Sequence, residues 1–225
     1  MKTFYVHIDL GDLVYSLYFA KRLGVENYLI DSKRGICKFN EESKNFITPL
    51  IKDQEYIKSV EDFNYQPYDF DYGSHPKGKI VEVGTNLTEY HASKFDIDWI
   101  TVNEPWLKSE TIDLGKKIII NRTPRYQKNY YFYNDFLRHI NLNDCIFIGL
   151  ESEWKEFCYL FRKPIDFYQC SSSIELASVI NGCETFLGNQ SLALSIATGL
   201  GKHCFVEIGE RCANYIFNSK KIVYF

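Results

Sequence analysis

The stretch Phe186-Leu187-Gly188-Asn189-Gln190-Ser191-Leu192-Ala193-Leu194-Ser195-Ile196-Ala197-Thr198-Gly199-Leu200-Gly201 decides the fold. Thr185 to Leu187 reads as the apolar end of a buried strand, and Gly188 permits a tight bend. Asn189, Gln190 and Ser191 then offer a cap for the apolar run Leu192, Ala193, Leu194, Ile196, Ala197 and Leu200, which Gly201 closes. A strand turning this sharply into a helix aims free backbone N–H groups and the positive end of the helix dipole out of the carboxyl edge of a sheet. That geometry suits phosphate or another anion. The same residues also fit a capped core helix that holds no ligand.

Working outward from this stretch, the second half of the chain alternates strands and helices. Lys117 to Asn121 is a strand, followed by the polar loop Arg122-Thr123-Pro124-Arg125-Tyr126, a helix over Tyr130 to Ile140 and a strand at Asp144 to Gly149. Glu151 and Glu153 open the next helix, where the dipole favours carboxylates. A short strand at Ile165 to Tyr168 and a helix over Ile174 to Asn181 follow, the helix opened by the capping box Ser172-x-x-Glu175 and ended by Gly182. Cys204 to Ile208 and Lys221 to Phe225 supply two more strands.

The first half repeats the scheme. Phe4 to Ile8 is a strand, Asp9-Leu10-Gly11-Asp12 a loop, Leu13 to Gly24 a helix and Asn27 to Asp31 a second strand, which makes a βαβ unit. Residues 40–63 have helical spacing, 65–78 read as a loop, Lys79 to Val83 as a strand and Asn86 to Phe95 as a helix capped by Asn86 or Thr88. The loop after the first strand lacks the G-x-G-x-x-G dinucleotide fingerprint. A break near residues 108–116 divides the chain into 1–112 and 113–225. The fold class is therefore α/β, with two small Rossmann-like parallel-sheet domains facing a cleft and ligands expected at the carboxyl ends of the strands.

Composition narrows the functional classes. With 225 residues, 45% hydrophobic and 24% charged, the chain is globular, and a net charge of −3 argues against a dominant nucleic-acid surface. Its seven cysteines, Cys37, Cys145, Cys158, Cys170, Cys183, Cys204 and Cys212, form no C-x-x-C pair and fit a reducing compartment. The sequence carries no secretory leader pattern and no apolar run of transmembrane length, so the expected location is cytoplasmic. The sequons at Asn86, Asn121 and Asn189 are then chance matches. His7, His75, His91, His139 and His203 show no metal spacing, so no metal and no cofactor is assigned.

Ile174-Glu175-Leu176-Ala177, then Phe186-Leu187-Gly188-Asn189-Gln190-Ser191, then Ala197-Thr198-Gly199-Leu200-Gly201-Lys202 together resemble the C-terminal domain of heptosyltransferase-type (family 9-like) glycosyltransferases with the GT-B fold. Gly11-Asp12 before the first helix is similar to that family's opening motif. Gln190, Leu192 and Ser195 stand where the family has an acid, a glycine and a histidine. The resemblance implies transfer of a sugar from a nucleotide-sugar donor to a glycan or other hydroxyl acceptor. It implies Asp12 as the general base, Asn189, Gln190 and Ser191 as the donor's phosphate turn, Arg122 and Thr123 as phosphate-binding side chains, and Glu153 as a contact to the donor ribose. The chemistry fits: glycosyl transfer needs a proton acceptor and fixed donors for the departing phosphate. Read from the residues alone, Asp12 suits a helix cap as well as a base, and Asp9 rivals it for both. Arg122 also suits a surface ion pair, Glu153 a dipole partner, and Trp106 and Trp154 either packing or a sugar face. A binding module without turnover, or a protein-interaction domain, remains the alternative.

Overall fold

The structure is a computed structural model and describes residues 1–32, 40–73, 86–98, 102, 104–127, 130–208 and 215–225. The strand expected at Lys79 to Val83, and Cys37, His75 and Cys212, lie outside the described residues.

Among the described residues the first half is built on a four-stranded parallel sheet of β1 (Lys2–Val6), β2 (Val25–Ile30), β3 (Ser59–Asp62) and β4 (Phe70–Tyr72), in the order β3-β2-β1-β4. Helix α1 (Leu10–Leu23) ends where Gly24 takes φ 66°, a left-handed conformation that costs glycine little. Two expectations are corrected. The helix α2 (Glu41–Lys52) stops well short of Phe63, and Ser59–Asp62 form a strand instead, because the turn Asp53 to Lys58 delivers them alongside Asn27–Ile30. Tyr56, Ile57 and Val60, which suggest helical spacing, fill the core from that turn and strand. Phe70–Tyr72, expected as loop, pair with Phe4–Val6; a strand of three residues is too short to show alternation. Helix α3 (Leu87–Lys94) begins at Asn86, whose side chain accepts from the Thr88 N–H.

Among the described residues the second half carries six parallel strands: β5 (Ile118–Asn121), β6 (Cys145–Ile148), β7 (Asp166–Tyr168), β8 (Thr185–Asn189), β9 (His203–Glu207) and β10 (Ile222–Tyr224). Their order is β7-β6-β5-β8-β9-β10, the doubly wound arrangement of a Rossmann sheet. Its helices are α4 (Tyr130–His139), α5 (Glu151–Phe161), α6 (Ser173–Asn181) and α7 (Leu192–Gly199). Successive strand residues point to opposite faces. Ile119, Ile146 and Phe186 join the core that continues into the first half, whereas Ile120, Phe147 and Leu187 pack on a separate core with Tyr133, Phe157 and Phe161. Gly188 makes no bend, contrary to expectation. The strand runs through it, and a Cβ there would stand 2.3 Å from the Asn121 carbonyl oxygen, so glycine lets β8 lie close to β5.

Helices α1 and α2 pack against α7 and α6, so one apolar core spans both halves. The connecting segment is tied to each. Trp106 and Leu107 N–H groups donate to the Gly199 carbonyl, Gln54 brackets Lys108 through both amide atoms, and Ile112 N–H donates to Ser178. Tyr215 to Asn218 then return to the first half: Ile216 N–H donates to Asn86 Oδ1, Asn218 accepts from Val102 N–H, and Phe217 packs on Trp106 and Tyr18. Trp106 is thus a core residue, and Trp154 stacks on Phe167 while its indole N–H donates to Ile165; both pack rather than line an open site.

Candidate functional site

In a doubly wound sheet the strand order reverses between the first and fourth strands, and the loops there diverge to leave a crevice at the carboxyl edge. This chain has two such places, between β1 and β4 and between β5 and β8. They meet. A Cβ on Gly11, in the first turn of α1, would lie 3.6 Å from the Ser191 carbonyl oxygen and 3.7 Å from the Leu192 nitrogen, at the start of α7. Two helix N-termini therefore converge on one rim, each contributing a partial positive charge.

The second-half side of the rim is held by neutral brackets. Asn121 donates from Nδ2 to the Ile148 carbonyl at 2.9 Å and accepts at Oδ1 from Ser191 Oγ at 2.8 Å. Ser191 caps α7 by accepting from the Leu194 N–H. Asn189, fully buried, accepts from the Thr123 N–H at 3.0 Å and donates to the Thr123 carbonyl at 2.8 Å. Thr123 Oγ1 also points to Asn189, at 3.5 Å, and Gln190 Nε2 donates to the Tyr215 carbonyl at 3.4 Å. Asn189, Gln190, Ser191 and Thr123 are thus brought together. Asn189 shapes the turn from beneath rather than reaching out of it.

Arg122 is a correction. Its Nε and Nη2 donate to the two oxygens of Glu207 at 2.9 and 3.1 Å, and its guanidinium lies over the rings of Tyr133 and Phe161. With 4% exposure for Arg122 and none for Glu207, this is a buried bidentate pair inside the second half, not a phosphate arm. Glu153 is engaged locally: its Oε2 accepts from Leu150 N–H and caps α5, and burial raises its carboxyl above the usual value.

Asp12 lies in the first turn of α1, partly exposed. Burial first, then the neighbouring Asp9 carboxylate, push it up from 3.8 to about 7, against Arg125, the Asp9 backbone and the Tyr215 hydroxyl, which favour the charged form. The Asp9 side chain does not cap the helix, although Asp9 occupies the N-cap position. A carboxyl near 7 is poised to take up a proton at neutral pH.

Two residues of the rim escape a reading of the sequence. Arg125, on the short 3-10 turn Pro124–Tyr126, reaches across from the second half to lie 3.6 Å from Asp9, and its charge is felt by Asp12. Its proximity to Arg122 in the same loop was the available signal; only the fold shows which arginine turns outward. His7, just past β1, meets Asp71 of β4 at 3.0 Å, and a Cβ on Gly73 would fall 2.4 Å from the imidazole and displace it. A separation of 64 residues hides that pair from sequence.

Among the described residues no cluster of His, Cys, Asp and Glu is arranged to hold a metal ion, and no helix is long and apolar enough to cross a membrane. No family model matches the sequence, and no curated protein does. Solved structures do match. A family 9 glycosyl transferase from Veillonella parvula superposes with TM-score 0.63 at 10% identity, covering 100% of this chain and 86% of that one. The E. coli ADP-heptose LPS heptosyltransferase II gives 0.56 at 11% identity, covering 100% and 90%. The E. coli heptosyltransferase WaaC, solved with ADP-2-deoxy-2-fluoro heptose, gives 0.54 at 10% identity, covering 100% and 93%. The chain therefore has the GT-B fold of heptosyltransferase-type glycosyltransferases.

Proposed function

We propose that the protein is a glycosyltransferase that moves a sugar from a nucleotide-sugar donor to a hydroxyl on a glycan or other acceptor. The observation that carries this reading is the placement of Asp12, near neutrality in its proton affinity, on a rim shared with Arg125 and the β8–α7 turn. Residues 1–112 form the acceptor side and 113–225 the donor side in this reading. The acceptor oxygen attacks the anomeric carbon, its proton passes to Asp12, and the bond from that carbon to the phosphate oxygen breaks, with the electron pair leaving on the nucleotide. The N-terminus of α7 and the Arg125 guanidinium face the charge that develops there. Arg125 takes the part first expected of Arg122. No metal or cofactor is invoked, because these groups supply the positive charge, and no nucleic-acid partner is invoked either. The free cysteines support a cytoplasmic setting, where nucleotide sugars are at hand.

A binding module without turnover is the second reading, favoured by Gln190 in place of an acid and by the burial that raises the Asp12 carboxyl. A thermal-shift screen against nucleoside diphosphates and nucleotide sugars, with release of free nucleotide measured in parallel, tests both. Stabilisation by a nucleotide sugar that Ser191→Ala weakens and Asp12→Asn preserves, with turnover lost only in Asp12→Asn, supports the transferase. Stabilisation with no turnover in any acceptor mixture supports the module. No stabilisation at about a thousandfold the usual micromolar affinity range overturns both.

A further inference from the structure

The first half has a switch point of its own, where β1 and β4 lie side by side. His7 stands at its carboxyl edge, the residue after β1. Its Nε2 meets Asp71 Oδ1 at 3.0 Å, and its Cε1–Nε2 edge packs on Gly73, where a Cβ would come within 2.4 Å of both atoms. β4 is also joined to the rim. The hydroxyl of Tyr72 lies 3.2 Å from that of Tyr215, whose carbonyl accepts from Gln190 of the β8–α7 turn. On the sheet face that carries His7, the rings of Tyr68, Tyr5 and His7 follow one another with centroids 4.9 Å apart at each step, at 24° and 33°.

A carboxylate only accepts, so Nε2 carries the hydrogen of the neutral imidazole and Nδ1 keeps its lone pair. Nδ1 has no hydrogen-bond partner among the described residues, yet it is not one of the polar atoms sealed from water, and the side chain is 12% exposed. A bare acceptor at the surface, on a ring held along its other edge, can take a hydrogen bond from a hydroxyl. The surroundings suit a hydroxyl on a sugar. Asp9, Asp31 and Asp71 place carboxylates along this edge, groups that receive hydroxyl donors and repel phosphate, and Asp31 already accepts from the Tyr5 hydroxyl at 2.9 Å. Lys94 and Tyr90 of α3 lie within electrostatic range of Asp71. The ring of Tyr68, 44% exposed, offers an apolar face of the kind on which the C–H face of a sugar stacks.

We propose that His7, oriented by Asp71, binds a hydroxyl of the acceptor, and that the acceptor is an uncharged saccharide. This rests on the transferase reading, in which residues 1–112 take the acceptor. Asp12 receives the proton of the reacting hydroxyl in that reading, and His7 fixes the same molecule through another hydroxyl. No bond forms or breaks at His7.

The test uses the full chain without a donor, so it is independent of turnover. Nitrogen NMR of the His7 imidazole at about pH 8, above the ordinary histidine value, reads the tautomer. Nε2 is expected to carry the proton and Nδ1 to be bare; a proton on Nδ1 overturns the proposal. Methyl lactoside, methyl cellobioside and chitobiose are then titrated at millimolar concentration beside a glucuronide-terminated disaccharide. At least one neutral sugar is expected to shift the Nδ1 signal, to bind about tenfold more weakly to His7→Phe, and to bind better than the glucuronide. If no neutral sugar moves Nδ1, or the glucuronide binds as tightly, the proposal falls. Should His7→Phe fail to fold, Asp71→Ala carries the test: both tautomers are expected to appear and the sugar to bind severalfold more weakly, and an unchanged tautomer and affinity there overturn the proposal equally. A neutral sugar bound at His7 in a protein that takes up no nucleotide sugar would sink the transferase reading and leave this site standing.

Discussion

The two halves meet at one rim with opposite chemistry. The first half brings ionisable side chains, Asp9 and Asp12 before and within α1 and the His7–Asp71 pair, and leaves Asp12 far from its ordinary proton affinity. The second half brings amides and hydroxyls, Asn121, Asn189, Ser191 and Thr123, each bonded to its neighbours, and the rim cation Arg125. Its buried Arg122 charge is neutralised by Glu207. A proton acceptor needs a destabilised charge, whereas an anion cradle needs fixed dipoles that do not reorganise. The halves divide those two requirements between them.

The largest way to break this comparison is Asp12→Asn. If the unstable carboxylate is the working group, turnover falls about 10²- to 10⁴-fold while nucleotide affinity stays, as steady-state kinetics and a binding titration would show. The same variant has a stability signature with a definite sign. Because the folded value lies near 7 and the unfolded value near 3.8, the folded wild type holds the extra proton between them and loses stability as pH rises through that window. Asp12→Asn is then about 1–3 kcal/mol more stable than wild type near pH 8, with the gain shrinking toward about pH 4; a gain independent of pH would refute the assignment.

Next in size is Glu207→Ala, which strands the Arg122 charge and should cost about 3–5 kcal/mol in urea unfolding. Replacing both partners by Met and Leu should cost much less, and equal losses would mean that the pair is more than an internal neutralisation. Arg125→Gln sharpens the contrast between the loop's two arginines. Nucleoside diphosphate affinity is expected to fall about tenfold by calorimetry with melting temperature nearly unchanged, the reverse of the Glu207 result. Smallest is Ser191→Ala, at about 1 kcal/mol of stability for a lost cap. That loss would also free Asn121 from its bond across the turn.

The parts of this molecule legible in its sequence are those with local causes. Helix α7 and its Ser191 cap, Gly24 ending α1 and Ser172 opening α6 follow from neighbours a few residues away. The halves, their alternation and the rim turn follow from them. What sequence hides has distant causes. β3 and β4 are strands because β2 and β1 offer them free edges, not because four or three residues show a pattern. Arg122 and Arg125 share a loop and a charge, and only the position of Glu207, 85 residues on, turns one inward. Gly188 looks like a bend and proves to be a point of close strand approach.

The returning segment Tyr215 to Asn218 also bears on how the protein is made. A ribosome releases the first half long before Tyr215 and Phe217 emerge, yet both side chains complete the core around Tyr15, Tyr18 and Trp106. Until Tyr215 and Phe217 have been synthesised, the nascent first half carries an uncovered aromatic groove. Its final consolidation therefore waits on a segment translated well after it, and a holding chaperone would find its binding surface there.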